Sequence, residues 1–383
     1  MLPSRSAVWA MYVSHMFNEI YLFIHLALIP VFITEFELTL FQVSFVATVP
    51  TLIGIIMNIM IGFLVDRIGA RPLLILGFIC QALGGIIVAE SWSFETLIFG
   101  LSFIGIANPL YHNSGLSTIS RILSGQKLTR GAGIHAAAGS IGSSIGLFTL
   151  SLLLAFNRWR LTYLIWAVPT LAWALFLTRT RVLDQDKPGR KQTRDDGEGG
   201  SVLSRPFAFF LILVGLTQAG SSVITTFMTT YMVLGRGISE ATASLIFTAG
   251  PLISIVGSLF SGYVGSWMGD VRILFVTIGI TGLSAILIPV MPTTSLLTIM
   301  FVCFAFFSCT VWPPINSLTA RLTPTEKRGL AYSLSQTTYQ ATSALAPPVA
   351  ARLIETTSMS MMFPFSFMLM LAGVVFLKRV PMK

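Results

Sequence analysis

Glu19 is the acidic residue whose position in this sequence most strongly suggests chemistry. Of the 15 Asp and Glu residues, it alone lies well inside a predicted apolar helix, about 11 residues or roughly 16 Å from its start. His15 lies one turn earlier, and Asn18 and His25 fall in the same sector of a helical wheel. A carboxyl group and an imidazole can both exchange protons with a neighbour. The stripe is therefore predicted to face a cavity and to carry a proton.

The fourth predicted helix supplies further polar side chains, and three of them share one face. A proton-coupling group is predicted from His15, Glu19 and His112. Contacts with a small ligand are predicted from a second set, which consists of Asn18, Asn108, Tyr111 and Asn113.

Two other interpretations of Glu19 stay open at this point. It is either a protonated acid that holds helices together by hydrogen bonds, or a direct partner for a cationic group of a substrate. His25 and His135 are explained more simply as structural histidines. The histidines and the three cysteines show no metal-ligand spacing, so neither a metal site nor another cofactor is predicted.

The composition shows what kind of element must position these residues. The chain has 383 residues, 54% of them hydrophobic and 10% charged, and a mean hydropathy of +0.81. Soluble domains carry about 25% charged residues, so most of this surface must face lipid. Apolar stretches long enough to cross a bilayer recur along the whole chain. Helices are predicted near 8–33, 40–63, 73–90, 94–120, 129–155, 160–178, 205–233, 241–264, 273–291, 296–320, 329–355 and 359–378.

The fold class predicted is therefore an all-α integral membrane protein with twelve transmembrane helices in two six-helix bundles. The N-terminal bundle is placed at 1–178 and the C-terminal bundle at 205–383. Between them, residues 179–204 are polar and rich in glycine and charge, which predicts a cytoplasmic linker.

The distribution of basic residues predicts the orientation. Of the 24 Lys and Arg residues, only Arg158, Arg160, Arg236 and Arg352 fall on one side of the predicted spans. The side with the other 20 is predicted to be cytoplasmic, and it includes both termini. A multi-pass protein of the inner (cytoplasmic) membrane is expected, with no cleavable signal peptide because the first apolar span is too long. The net charge of +9 is scattered between spans and does not indicate nucleic-acid binding.

The second half of the chain is predicted to line the substrate cavity with uncharged polar side chains. Its polar side chains lie in the predicted seventh, tenth and eleventh helices, and none is charged. Hydroxyl groups there can also bond to their own helix backbone, so only part of the set is expected to face a cavity. The predicted substrate contacts in this half are Gln218, Thr225, Trp312, Asn316, Gln336 and Tyr339.

An internal repeat with an offset close to 200 relates the two halves. Gly62 begins Gly-Phe-Leu-Val-Asp-Arg-Ile-Gly-Ala-Arg-Pro, and Gly262 begins Gly-Tyr-Val-Gly-Ser-Trp-Met-Gly-Asp-Val-Arg. Ser117 to Arg121 and Ser317 to Arg321 also match in pattern. Transporters built from such repeats bind their substrates at the interface of the repeats.

The first copy of this loop resembles the signature loop of the major facilitator superfamily between helices 2 and 3. The resemblance implies a transporter fold in which Asp66 and Arg71 form a cytoplasmic latch. The residues that match the pattern are Gly62, Asp66, Arg67, Gly69 and Arg71. The second copy has Ser266 and Trp267 where Asp and Arg would stand, which predicts a weakened latch there.

A narrower resemblance, to the fosmidomycin-resistance type of exporter, covers most of the first half. It rests on His15, Asn18 and Glu19 in helix 1, on Tyr111-His112 in helix 4, and on a glycine ladder in helix 5 formed by Gly139, Gly142 and Gly146. The sequence departs from the family pattern at Asn113, Ser114 and Leu147.

The function predicted is secondary active transport by alternating access, with proton-coupled export of a small amphipathic or drug-like organic molecule. Two alternatives remain: uptake of a small polar metabolite by proton symport or facilitated diffusion, and a transport-inactive accessory or sensor subunit. An enzyme is not predicted, because no nucleophile–base pair, nucleotide loop or soluble domain is present. The expected partners are the substrate, protons and membrane lipid, and the expected state is a monomer.

Overall fold

The computed structural model describes residues 2–123, 125–179, 203–324, 327–377 and 379. This part of the chain is helical and contains no β-strand. Most of the predicted linker at 179–204 lies outside it. The helices of the first half are α1 (Leu2–Glu19), α2 (Ile24–Ala27), α3 (Ile29–Glu35), α4 (Leu40–Ile68), α5 (Ala70–Ala89), α6 (Phe94–Ile122), α7 (Gly125–Leu154) and α8 (Trp159–Arg179).

The first predicted span, 8–33, is broken rather than continuous. Helix α1 ends at Glu19, a turn follows, and α2 and α3 continue the span after it. The segments Ser6–Ala27 and Ile29–Glu35 meet at an angle of 53°. Pro30, in the first turn of α3, has no N–H to donate to the preceding helix, which explains the second break. The first break places Glu19 at a helix end inside the span.

The helices of the second half follow the same order. They are α9 (Arg205–Thr230), extended by a π-helical turn (Tyr231–Gly235), α10 (Glu240–Met268), α11 (Asp270–Leu287), α12 (Thr294–Thr310), α13 (Trp312–Arg321), α14 (Arg328–Thr356) and α15 (Met362–Leu377). The predicted tenth span, 296–320, is divided at Val311, where Trp312 and Pro313 begin the new helix α13. Proline is favoured at such helix starts.

Ten helices in the described part of the chain are long and apolar enough to cross a membrane, or eleven if the bent pair at the start is one span. Helix α14 is as long as α10, but its Ser, Thr and Gln residues make it too polar for the same criterion. The all-helical membrane fold is therefore confirmed, and the helix order agrees with twelve predicted spans.

The repeat is visible in the backbone at one pair of glycines. Gly69 precedes α5 with φ of 82°, and Gly269 precedes α11 with φ of 81°. Their ψ angles are 169° and 150°, and this region is adopted almost only by glycine, since a residue with a Cβ there costs about 1–3 kcal/mol. The two loops thus require glycine for the same reason, 200 residues apart.

The described helices form two compact units. The N-terminal unit contains Met1–Gln192 with Ser239–Thr248, and the C-terminal unit contains Thr193–Ile238 with Ala249–Lys383. In the N-terminal unit, α1 packs on α7 and α6, and α5 packs on α6 and α8. In the C-terminal unit, α9 packs on α14 and α15. Thus α1 and α9, which carry many of the predicted site residues, are each packed inside their own unit.

Candidate functional site

Glu19 is the centre of a buried cluster in the N-terminal unit. Its Oε1 atom accepts a hydrogen bond from the Asn18 amide at 3.0 Å and lies 3.0 Å from Nε2 of His112. Nε2 of His15 lies 3.5 Å from the same oxygen. The Glu19 side chain is 8% exposed and that of His112 is 34% exposed. The structure therefore brings together the predicted proton-coupling residues, and His112 forms their accessible side.

A backbone hydrogen bond fixes the orientation of the His15 ring. Its Nδ1 lies 2.6 Å from the carbonyl oxygen of His135, which can only accept. The Nδ1 atom must therefore carry the hydrogen, and in a neutral ring Nε2 is left as an acceptor. This Nε2 is buried and has no hydrogen-bond partner among the described residues. With the ring neutral, two acceptors, His15 Nε2 and the Glu19 carboxylate, face each other across 3.5 Å.

His135 and Tyr111 pack against the His15 ring and help to hold it in place. The Tyr111 hydroxyl donates to the carbonyl of Met11 at 3.0 Å, and it lies 2.7 Å from Nε2 of His135. Because the hydroxyl has one hydrogen, His135 must donate through Nε2. The His135 ring stacks on His15 with centroids 3.9 Å apart. Tyr111, predicted as a substrate contact, is buried and belongs to the support of the cluster.

Close packing of α7 on α1 makes these contacts possible. A Cβ at Gly139 would lie 2.5 Å from the His15 ring. Cβ atoms at Gly142 and Gly146 would collide with the backbone carbonyls of Met16 and Ile20. The glycine ladder therefore lets the backbone of α7 approach α1 beside the break after Glu19.

Gln81 on α5 stabilises the broken end of α1. Its Nε2 donates to the carbonyl of Asn18 at 2.7 Å and lies 3.2 Å from that of Phe17. The last carbonyls of a helix have no partner within it, and inside a membrane water cannot replace one. Gln81 was not predicted from the sequence, since a single glutamine in an apolar helix gives no positional signal.

The other predicted residues of the N-terminal unit have separate environments. Asn113 on α6 donates to Oδ1 of Asn58 on α4 at 2.7 Å. Asn108 is half-buried. His25 is buried, and its Nδ1 has no partner among the described residues.

The C-terminal unit joins several of its predicted residues in a neutral cluster. Gln218 on α9 donates to Oγ of Ser343 on α14 at 2.7 Å. The rings of Trp312 and Tyr339 meet edge to face with centroids 4.4 Å apart. Thr225 donates to the carbonyl of Ser221 in its own helix, so its hydroxyl needs no other partner. Two further predicted residues, Asn316 and Gln336, are exposed.

The predicted latch is described only in part. Only the backbone of Gly62 and Asp66 belongs to the described part of the chain, and Arg67 is exposed. Arg71 donates through Nε to the carbonyl of Leu177 at 3.0 Å and through Nη2 to that of Thr178 at 2.9 Å. These bonds tie α5 to the last turn of α8, and the latch stays a prediction.

The second copy of the loop contains an ion pair that the sequence did not predict. Asp270 accepts from Oγ of Ser317 at 2.6 Å, and its Oδ2 lies 3.4 Å from Nε of Arg321. The carboxylate comes from the first residue of α11, four residues after Ser266. Asp270 lies within the repeated segment but four residues after the position that corresponds to Asp66, which explains why pattern matching missed it.

One imidazole nitrogen from each of His15 and His112 and one carboxylate oxygen of Glu19 lie within 4.8 Å of one another. This spacing suits a proton or a small cationic group shared between them. Together with the helical fold, it defines a membrane protein that has an ionisable site inside a broken helix, as secondary transporters have.

The chain belongs to the Major Facilitator Superfamily, whose profile it matches over residues 11–347 and again over 210–382. It is 25% identical over 260 residues to the nitrite extrusion protein of Bacillus subtilis (strain 168), an alignment that covers 67% of this chain and 64% of the relative. It is 22% identical over 266 residues to the fosmidomycin resistance protein of Escherichia coli (strain K12), with 68% and 65% covered. The chain thus aligns with slightly less than two thirds of each curated relative.

Solved structures support the same fold. A bacterial homologue of the human lysosomal transporter Spinster, in an inward-facing and occupied conformation, aligns with a TM-score of 0.77 and 15% identity over 99% of this chain and 95% of that one. A POT family transporter in complex with a thioalcohol-conjugated peptide aligns with a TM-score of 0.78 and 14% identity over 97% and 94%. The identification as a major facilitator transporter, which is not an enzyme, is confirmed.

Proposed function

We propose that this protein is a secondary active exporter that works by alternating access and couples the exit of a small amphipathic or drug-like organic molecule to proton entry. The observation that carries the proposal is the Glu19 cluster, in which a buried carboxylate contacts two imidazoles. An ionisable group at membrane depth is costly, and it is usually retained for ion or substrate movement.

The cluster has the composition that a proton carrier needs. Glu19 is faced by His15 from its own helix and by His112 from α6, with the Asn18 amide as a neutral donor. His135 on α7 and Tyr111 on α6 contact His15 from behind. No Lys or Arg contact with Glu19 is seen in the described part of the chain, so its charge must be balanced by a proton, an imidazolium or a bound cation.

The C-terminal unit supports recognition of the organic part of the substrate. Gln218 and Ser343 offer neutral hydrogen bonding, and the Trp312–Tyr339 pair offers aromatic surface. We further propose an inner-membrane location with both termini in the cytoplasm, a monomeric state, and Asp66 and Arg71 as the cytoplasmic latch.

The test is proton flux in proteoliposomes that enclose a pH-sensitive dye, across a panel of lipophilic drugs and small polar metabolites. A compound that moves protons through the wild type, but not through Glu19→Gln, supports the proposal. Glu95→Gln is the matched control, because it makes the same chemical change on an exposed residue in the first turn of α6. Transport that is indifferent to Glu19 and to the proton gradient would instead indicate a facilitator.

The direction of substrate movement relative to proton movement distinguishes export from uptake. If the substrate and protons move in the same direction, the protein is a symporter for uptake and the export proposal is wrong. If the panel shows neither transport nor binding, a transport-inactive accessory or sensor subunit is supported.

A further inference from the structure

We infer that the Glu19 cluster binds the protonated amino group of a monocationic organic amine, and that such an amine is the class of molecule carried. The inference rests on the proposed exporter function and specifies its substrate. It follows from the charge of the site, from the direction of its hydrogen-bond acceptors, and from the distances between them.

The charges inside the membrane favour a cation. Every Lys and Arg of the described helices lies in the first or last two turns of its helix. Glu19, in contrast, lies at the break in the middle of its span. An anion such as nitrite would approach a carboxylate that no guanidinium or ammonium group of the described residues contacts. A monocation would neutralise the site, and desolvation of the pair would be offset by direct contact.

The unpartnered acceptor favours a cation that can donate hydrogen bonds. Nε2 of His15 is buried without a partner, while Nδ1 of the same ring is bonded to the His135 carbonyl. An ammonium group has three N–H donors and no acceptor. It can therefore bond to Nε2 of His15 and to Oε1 of Glu19 at the same time, which a quaternary ammonium group cannot do.

The distances allow this geometry. Charge-assisted N–H···O bonds are about 2.8 Å long, and Nε2 of His15 and Oε1 of Glu19 are 3.5 Å apart. That spacing is compatible with bonds from one nitrogen atom to both acceptors, and because Nε2 of His15 is buried, binding requires the side chains around it to separate. The approach is from the side of His112, whose side chain is 34% exposed against 10% for His15. The organic body of the amine would then extend past His112, on the accessible side of the cluster.

The experiment measures equilibrium binding to purified protein in detergent, without any gradient. Four probes share one fluorescent scaffold: 1-naphthylmethylamine, its trimethylammonium analogue, 1-naphthylmethanol and 1-naphthoate. At neutral pH the amine should bind most tightly, followed by the quaternary ammonium compound, the alcohol and, most weakly, the carboxylate. In Glu19→Gln the amine should bind about 30-fold more weakly or worse, since one partner of a buried charge pair is removed. The alcohol should change little.

A second variant separates hydrogen bonding from charge. His15→Phe should weaken the primary amine but leave the quaternary analogue unchanged, because only the amine donates to Nε2. Glu95→Gln, on an exposed residue, should leave all four affinities at the wild-type value. Thermal unfolding curves first establish that each variant is folded.

The possible outcomes are distinct. Binding of naphthoate as tight as that of the amine would overturn the inference, as would an amine affinity that Glu19→Gln does not change. Because binding is measured without a gradient, amine-selective binding with no proton flux in proteoliposomes would uphold this inference and overturn the proposed coupling. If only neutral or anionic compounds are transported with protons, the proposed coupling is upheld and the amine inference is overturned.

Discussion

At the offset of about 200 residues that relates the two repeats, His15 on α1 corresponds in sequence to Gly215 on α9. Glu19 corresponds in the same way to Ala219, and His112 to Trp312. In the N-terminal unit, α1 carries the ring and α7 carries the glycine, Gly139, on which the ring packs. In the C-terminal unit, α14 carries a ring instead, that of Tyr339, which packs on Trp312. One fold thus holds an ionisable cluster in one unit and a neutral aromatic cluster in the other.

From this difference we propose that the two units have different roles in transport. The N-terminal unit surrounds its carboxylate with imidazoles and with glycine-mediated helix contact. The C-terminal unit uses amide, hydroxyl and ring contacts that do not change with pH. We expect substitutions in the first unit to alter coupling or folding, and those in the second to alter substrate affinity.

The largest expected effect comes from the tight contact of α7 with α1. Gly142→Ala places a Cβ against the Met16 carbonyl, where backbone would have to move. We expect a loss of about 3 kcal/mol in the free energy of unfolding. Denaturant unfolding in detergent measures it. The control change Thr342→Ala on α14 should cost little, because the Thr342 hydroxyl bonds only within its own helix. Equal losses in the two variants would contradict the comparison.

A smaller effect is expected from Tyr111→Phe. It leaves the Met11 carbonyl and Nε2 of His135 without the hydroxyl they share. A loss of about 1.5 kcal/mol in unfolding free energy follows from the unsatisfied buried groups. Tyr163→Phe is the control, since the hydroxyl of Tyr163 is buried and has no partner among the described residues. That variant should be as stable as the wild type. If the two variants lost the same stability, the Tyr111 hydroxyl would have no special role.

Trp312→Ala should change affinity rather than coupling. It removes the edge-to-face contact with Tyr339, and we expect neutral 1-naphthylmethanol to bind about fivefold more weakly. The number of protons moved per substrate should stay at the wild-type value. Fluorescence titration and proton flux measure the two quantities separately. A changed proton number would show that the C-terminal unit also takes part in coupling.

The smallest effect is expected at the surface pair of the C-terminal unit. Arg321 is 59% exposed, so its ion pair with Asp270 is screened by solvent. Arg321→Gln should change the unfolding free energy by less than about 0.5 kcal/mol. Arg71→Gln in the N-terminal unit should cost about 1 kcal/mol, because it removes bonds to two carbonyls at the end of α8. A reversed order in thermal unfolding would contradict this ranking.

The core of the site could be predicted from the sequence because its signals are local. Glu19 is a lone acid in an apolar span, and His15 is one helical turn away. His135 shares a helical face with Gly139, Gly142 and Gly146, at spacings of four, three and four residues. This spacing predicts that the face packs closely against another helix, but the sequence does not say that the other helix is α1.

Other features could not be predicted because they depend on distant contacts. The break after Glu19 has no glycine or proline to mark it, and Pro30 lies too far along the chain to predict it. Gln81 matters only because α5 brings it to the end of α1. Asp270 forms an ion pair only because α13 brings Arg321 next to it. In each case the determining neighbour comes from another part of the sequence.

The bond from His15 to the carbonyl of His135 is made with the main chain and not with a side chain. Every amino acid presents that oxygen, so replacement of residue 135 leaves the anchor of His15 in place as long as α7 keeps its path. A search for relatives that scores position 135 by residue identity will therefore undercount the proteins that hold their histidine in this way. Comparison of helix register and glycine spacing is the appropriate search instead.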